Sequence, residues 1–232
     1  MTVSGGMAGI LADLSAPGSR GLDAVAAASC ADVLGMTGIA VTVLMADGDL
    51  EVLWRTDGVS AQLDDLQFTL GEGPTVDVAA SGELVLEPDL EQVPWERWPV
   101  FTPAALELGV LAVFAVPLQI GAIRLGVLLA HRDTCGPMSG GVLTDMLVFA
   151  DAATEALLGR DLAGLASLWL PGRSAGYRAE IHQATGMISV QLRVSQQEAL
   201  VRMRAHAFSN QRELADVASD VVARKLRFDA AL

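Results

Sequence analysis

Apolar residues recur along this chain with two different periods, and those periods divide it into helices and strands. Residues 22–34 (LDAVAAASCADVL) are Ala-rich with helical spacing and stop at Gly35, where a helix is expected to end. A β-branched run at 38–45 and a second run at 50–56 flank Asp47-Gly48, a hairpin signal. Residues 60–70 predict a short helix or an irregular segment ahead of Gly71-Glu72-Gly73-Pro74. A helix over 75–81, a short strand over 84–86 and a Pro- and Trp-rich connection over 88–103 follow, and residues 106–108 close a further helix. The most hydrophobic hairpin joins 109–120 to 123–130 around Gly121-Ala122. Residues 142–162 read as one long helix, with apolar side chains at Leu143, Met146, Leu147, Ala150, Ala153, Leu157 and Leu158. Residues 1–20, rich in Gly, Ser and Ala, show no clear period and are expected to form a loosely ordered lead-in.

Beyond a break at Pro171-Gly172 the pattern is helical only. Three amphipathic stretches carry Ile181, Ala184, Ile188 and Leu192; then Ala199, Leu200, Met203 and Ala207; then Leu214, Val217, Val221 and Leu226. Ser195 with Glu198 has capping-box spacing, and Asn210 with Glu213 repeats it, so a helix start is expected at each. Connections this short fold the helices back into a small bundle. About fifty residues make a marginal core alone, which favours help from a neighbour or a second copy. The expected fold class is α+β: an N-terminal antiparallel sheet flanked by helices, plus a C-terminal three-helix bundle. The expected boundaries are 1–20 for the lead-in, 21–163 for the sheet domain, 164–174 for a linker and 175–228 for the bundle.

Composition narrows the functional classes. Of 232 residues 52% are hydrophobic, enough to fill a core. No run approaches the ~20 apolar residues of a membrane helix; the richest stretch, 108–130, is cut by Pro117, Gln119 and Arg124. The N-terminus lacks a basic region followed by an apolar one, and Cys30 and Cys135 form neither a disulfide framework nor a metal-ligand spacing. A cytoplasmic protein with no membrane partner is expected. The net charge of −13 is unevenly placed. Residues 175–232 hold eight basic side chains against six acidic ones, a balance of +2, whereas the rest hold seven against 22, a balance of −15.

Catalytic patterns fail on inspection, and no enzyme activity, cofactor or metal is expected. Lys225 is the only lysine, so a P-loop, a receiver phosphorylation site and a kinase strand lysine all lack their ammonium. Gly71-Glu72-Gly73-Pro74 would bring a carboxylate to a phosphate, and His131-Arg132-Asp133 has Met138 where a kinase needs its metal-binding Asn. The three histidines are scattered; His182 and His206 sit on predicted helices, either in contact with a nucleic acid or without a task.

Two resemblances organise these observations. Ala184-x-Gly186-x-Ile188, Glu198-Ala199, Arg204, Ala207, Asn210 and Leu214-Ala215-x-Val217-Ala218 together resemble the ANTAR domain, a three-helix RNA-binding transcription antiterminator. The family's usual Lys is Thr185 here and its usual Met is Ser189, so one natural phosphate contact is missing. Leu66-Gln67-x-x-Leu70-Gly71-Glu72-Gly73-Pro74, Trp98-Pro99 and the 113–130 hairpin with Pro117 resemble the GAF domain, a small-molecule-sensing relative of PAS domains. Together they imply a GAF–ANTAR regulator that binds stem-loop RNA, modulated by an unknown small-molecule or protein signal. The residues this implies for RNA are Arg178, His182, Ala184, Thr185, Gly186, Arg204 and Arg212. Ala184 and Gly186 admit either close approach of backbone to base or tight helix packing. Trp95 and Trp98 either line a ligand pocket or form a lid that plugs the core. A homodimer is expected, and the 142–162 stripe serves either as its seam or as a contact with the sheet domain's own core. The rival reading is a dimeric sensor or scaffold whose tail binds no RNA.

Overall fold

The strand runs assemble as one antiparallel sheet. In the computed structural model, which describes residues 2–45, 48–159 and 176–229, the strands are β1 (Gly38–Leu44), β2 (Leu50–Arg55), β3 (Val85–Glu87), β4 (Ala112–Ile120) and β5 (Ile123–Arg132). Their order is β2-β1-β5-β4-β3. Ile120 pairs with Ile123 across the predicted Gly121-Ala122 turn, and Leu44 pairs with Leu50.

Strand periodicity places successive side chains on opposite faces, and here both faces are apolar. Phe114, Val116, Leu118, Leu128 and Ala130 enter one buried cluster, while Val113, Ala115, Val127 and Leu129 enter a second. A sheet that is apolar on both sides needs two covering layers. The first cluster is closed by α1 (Gly5–Ser15), α2 (Ala27–Leu34) and α6 (Gly140–Leu158) through Met7, Leu34, Met146, Phe149 and Ala153. The second is closed by α3 (Val59–Leu70), α4 (Pro74–Ser81) and α5 (Phe101–Glu107) through Leu63, Val78, Phe101 and Ala105. Gly35, Gly71 and Gly82 end α2, α3 and α4 in the left-handed conformation, with φ of 63°, 69° and 75°.

The first twenty residues are not a loose lead-in. Met7, Ile10 and Leu14, spaced i, i+3, i+7, are buried along α1. The Ser4 hydroxyl accepts from Met7 N at 3.2 Å, and Ser4 N donates to the buried carboxylate of Asp145 at 3.0 Å. Gly and Ala between the apolar positions dilute the periodicity without breaking it. Most of the α6 stripe is likewise taken up by the core: Met146, Phe149, Ala150, Ala153 and Leu157 are buried, Leu143 and Leu147 are partly so, and Leu158 is exposed. The predicted last turn of that helix, the linker at 164–174 and the Pro171-Gly172 break lie outside the described residues. Both cysteines are free; burial pushes the Cys30 thiol up to about 12.

One polar knot lies within the first unit. His131 Nε2 is 2.9 Å from Ser60 Oγ, which is 2.5 Å from Thr56 Oγ1. Gly38, opposite His131 in the β1–β5 register, leaves the space: a Cβ there would collide with Ser60 Oγ and His131 Nε2. Burial lowers the His131 pKa from 6.5 to about 4, against a smaller opposite pull from Asp133. The sign follows from proton uptake. Between pH 6.5 and about 4 the unfolded chain binds a proton that the folded chain does not, so stability falls as pH falls through that window and is unaffected by this group above it. The loss should total roughly 3 kcal/mol. Urea midpoints of the intact chain from pH 7.5 to 4 should show this slope, and His131→Gln should flatten it.

Candidate nucleic-acid interface

The C-terminal unit comprises α7 (Gly176–Leu192), α8 (Gln196–Ser209) and α9 (Leu214–Val222). The predicted stripes form its core: Ile181, Ala184 and Ile188 from α7, Ala199, Leu200, Met203 and Ala207 from α8, and Leu214, Val217, Ala218 and Val221 from α9 are buried. Leu192, at the end of α7, is half-buried, and Leu226 falls beyond the last helix and is half-buried. Ser195 caps α8 as its spacing predicts, its hydroxyl accepting from Glu198 N at 3.1 Å. Asn210 does not start α9. Its amide donates to His206 O at 2.8 Å and so closes α8, and Glu213 takes the N-cap position of α9. An Asn side chain carries donors as well as an acceptor, so it serves a helix end as readily as a start.

The seven predicted RNA residues do not form one surface. Arg178, Ala184 and Thr185 are 4%, 0% and 2% exposed. The Thr185 hydroxyl donates back to Ile181 O at 2.8 Å, so the position of the family's Lys holds a side chain turned into its own helix. These three are packing positions here, and for Ala184 the helix-packing alternative is the one realised. Arg178, His182 and Arg204 already engage partners within the chain, the last two half-buried. Arg212 donates to Asp220 Oδ2 at 2.7 Å. Gly186 alone of the seven has an open flank: a Cβ placed there meets nothing within 4 Å.

Gly186 begins an outward stripe that the core pattern obscured. Gly186 and Val190 follow at i and i+4; Val190 is 79% exposed, and Arg193, the first residue beyond the helix, is exposed. Ser189, in place of the family's Met, ties the turn beyond: its hydroxyl donates to Val194 O at 2.7 Å and Val194 N returns to Ser189 O at 3.2 Å. On α8 the side opposite the core carries Val201, Ala205 and Phe208, with Phe208 77% exposed. The same i, i+3, i+4 arithmetic that finds a core face finds these, taken half a turn away.

In the first unit Trp95 and Trp98 are separated by environment: Trp95 is 73% exposed and Trp98 is 1% exposed within the second apolar cluster. Trp98 occupies the plug position, its indole N–H donating to Asp77 Oδ2 at 3.2 Å and its ring meeting Phe101 edge-on at 5.5 Å. Arg97 stacks 4.4 Å from the Trp98 ring and pairs with Asp77 and Glu87. The Gly-Glu-Gly-Pro motif fastens this connection. Glu72 accepts from Val100 N at 2.7 Å and Phe101 N at 2.6 Å, and Gln67 Oε1 accepts from Thr75 N at 2.7 Å.

Known proteins agree with both halves. Residues 174–222 match the ANTAR domain family model. The fold is similar to the GAF domain of an Acinetobacter phosphoenolpyruvate-protein phosphotransferase, at 10% identity and a TM-score of 0.50, over 68% of this chain and 95% of that one. It is similar also to the GAF domain of a Coxiella burnetii phosphoenolpyruvate-protein phosphotransferase, at 16% identity and a TM-score of 0.51, over 67% and 95% of the two chains. Identities this low speak to fold alone. No curated protein matches the chain. The chain thus joins a domain of the GAF fold to a C-terminal segment, residues 174–222, that matches the ANTAR domain family.

Proposed function

We propose that this chain is a cytoplasmic transcription regulator, not an enzyme, that binds stem-loop RNA in nascent transcripts through its ANTAR domain and prevents terminator formation. The observation that carries this reading is the ANTAR match over 174–222. The open flank at Gly186, followed by exposed Val190 and, beyond the helix end, exposed Arg193, supports it by offering bare backbone, an apolar contact and a cation. Unpaired loop bases expose edges and ring faces that an A-form stem hides, so specificity belongs to the loop and affinity to the phosphates. The GAF-fold domain supplies the input, a small-molecule or protein signal that shifts the population of binding-competent chains, and the protein acts as a homodimer.

The rival, a dimeric sensor whose tail makes only protein contacts, draws on the outward Val201–Ala205–Phe208 stripe and on the Arg212–Asp220 pair. RNA crosslinking in the native host separates the two. The intact chain should enrich hairpins upstream of terminators, and a chain ending at Gly172 should not. Equal recovery by both would remove RNA binding from the tail. At Gly186 a second outcome is expected. Gly186→Ala meets no steric obstacle and should stabilise α7 by roughly 0.5–1 kcal/mol, because Ala is the better helix former. The same methyl should weaken hairpin binding by holding RNA off the backbone. Unfolding and RNA titrations on one variant read both signs, and unchanged affinity would place Gly186 outside the contact.

A further inference from the structure

The two units close their helices differently. Gly35, Gly71 and Gly82 end α2, α3 and α4, but α7, α8 and α9 are followed by Arg193, Gln211 and Arg224 at φ of 58°, 52° and 59°. Among the described residues these three are the non-glycine residues with positive φ. Arg193 sits one residue beyond its helix, and Gln211 and Arg224 two beyond theirs, each in a Schellman turn. Val194 N returns to Ser189 O at 3.2 Å, Arg212 N to Ala207 O at 2.9 Å and Lys225 N to Asp220 O at 2.8 Å. Glycine adopts this conformation freely, whereas an L-residue strains its Cβ against the backbone. A strained residue kept at an exposed position raises the question of what its side chain does.

Two of the three are exposed arginines, and among the described residues neither meets an acidic partner. A third exposed arginine, Arg227, lies in residues 223–229, beyond the ANTAR match. That tail is fixed rather than trailing. Phe228 N donates to Gln191 Oε1 at 2.9 Å at the end of α7, the Phe228 ring lies 5.2 Å from His206 of α8, and Leu226 N bonds Asp220 O at 3.1 Å. The tail therefore reaches the last turn of α7, two residues short of Arg193. Lys225 is set apart from this group by its approach to Asp220 at 3.8 Å.

We propose that Arg193 and Arg224, with Arg227, form a phosphate clamp for the RNA backbone, and that the strain at the two helix ends is retained because glycine there would remove the guanidinium groups. The clamp rests on the RNA-binding reading. It extends the contact surface past the ANTAR match into the 223–229 tail, and it compensates for the lysine absent at Thr185. Guanidinium suits the task, since its fork of N–H groups meets two phosphate oxygens at once. Gln211 shares the backbone geometry without the charge and is the internal control.

The test uses the full chain and a pool of synthetic RNA hairpins with a fixed stem and a randomised loop, titrated across a salt series. Hydrogen exchange of α7–α9 amides reads stability in the same samples. Arg193→Gly and Arg224→Gly should each increase protection, lower hairpin affinity about tenfold and reduce the salt slope by about 1. Gln211→Gly should increase protection and leave binding unchanged. The Arg193→Lys, Arg224→Lys double variant should keep the salt slope. Unchanged affinity and slope in the double glycine variant, while the unsubstituted chain binds hairpins, would overturn the clamp and leave RNA binding standing. Loss of protection in the glycine variants would overturn the strain argument and the clamp with it. An unsubstituted chain that binds no hairpin at low salt would overturn the RNA reading itself.

Discussion

A sheet that is apolar on both faces cannot stand with one of them in water, and this requirement fixes most of the first unit. Phe114 and Val113, neighbours on β4, belong to different buried clusters, so each face needs its own layer of helices. On one face the demand explains why α1 folds from a Gly- and Ala-rich segment: Met7, Ile10 and Leu14 complete a cover that α2 and α6 begin. It also explains why the α6 stripe is turned inward. On the other face a short β3 and small helices leave a gap that the 88–103 connection closes with Leu90, Val93 and Trp98. Glu72 and Asp77 hold that connection by hydrogen bonds to its backbone and to the Trp98 indole. A signal received on this face would have to work against that fastening.

The C-terminal unit solves a smaller problem with fewer means. Its core is built from Ala, Val, Ile, Leu and Met stripes with Thr185 satisfied inside its own helix, so Arg178, Ala184 and Thr185 of α7 are turned inward. The proposed binding chemistry therefore falls at the ends of helices and at Gly186, inside α7, where there is no side chain. Gly186 weakens α7, and Arg193 and Arg224 hold backbone conformations that glycine would hold better. Three departures from the best local choice, all exposed or open to space, mark where packing is not the selecting constraint.

Periodicity made the elements legible because core burial and side-chain period are the same fact seen twice. The β4–β5 hairpin, the Gly35 stop, the Ser195 cap and all three C-terminal core stripes follow from it. It failed where one residue type has two uses. Asn210 closes α8 instead of opening α9, since its amide can donate to a carbonyl as well as accept from an N–H. It failed also for the site, because family positions and exposed positions are different sets. Arg178, Ala184 and Thr185 are inside, whereas Val190, Arg193 and Phe208 are outside and carry no motif. Left-handed arginines leave no trace in a hydropathy pattern; only the backbone reveals them.

Charge gives the remaining constraint on any RNA complex. Residues 1–174 carry 22 acidic and seven basic side chains, and residues 175–232 a balance of only +2. Phosphates within a Debye length of the acidic surface, about 8 Å at physiological ionic strength, are repelled. Non-specific attraction, which depends on the number of phosphates neutralised, is weak for such a chain. Asp216 and Asp220 add negative charge on the outer side of α9, with Arg212 drawn to Asp220. The proposed RNA contact then falls where exposed arginines lack an acidic partner, at the end of α7 and in the tail beyond α9. Under the proposed RNA-binding reading, a chain so charged would trade affinity for selectivity: a few placed guanidinium groups would hold the backbone only when the loop also fits.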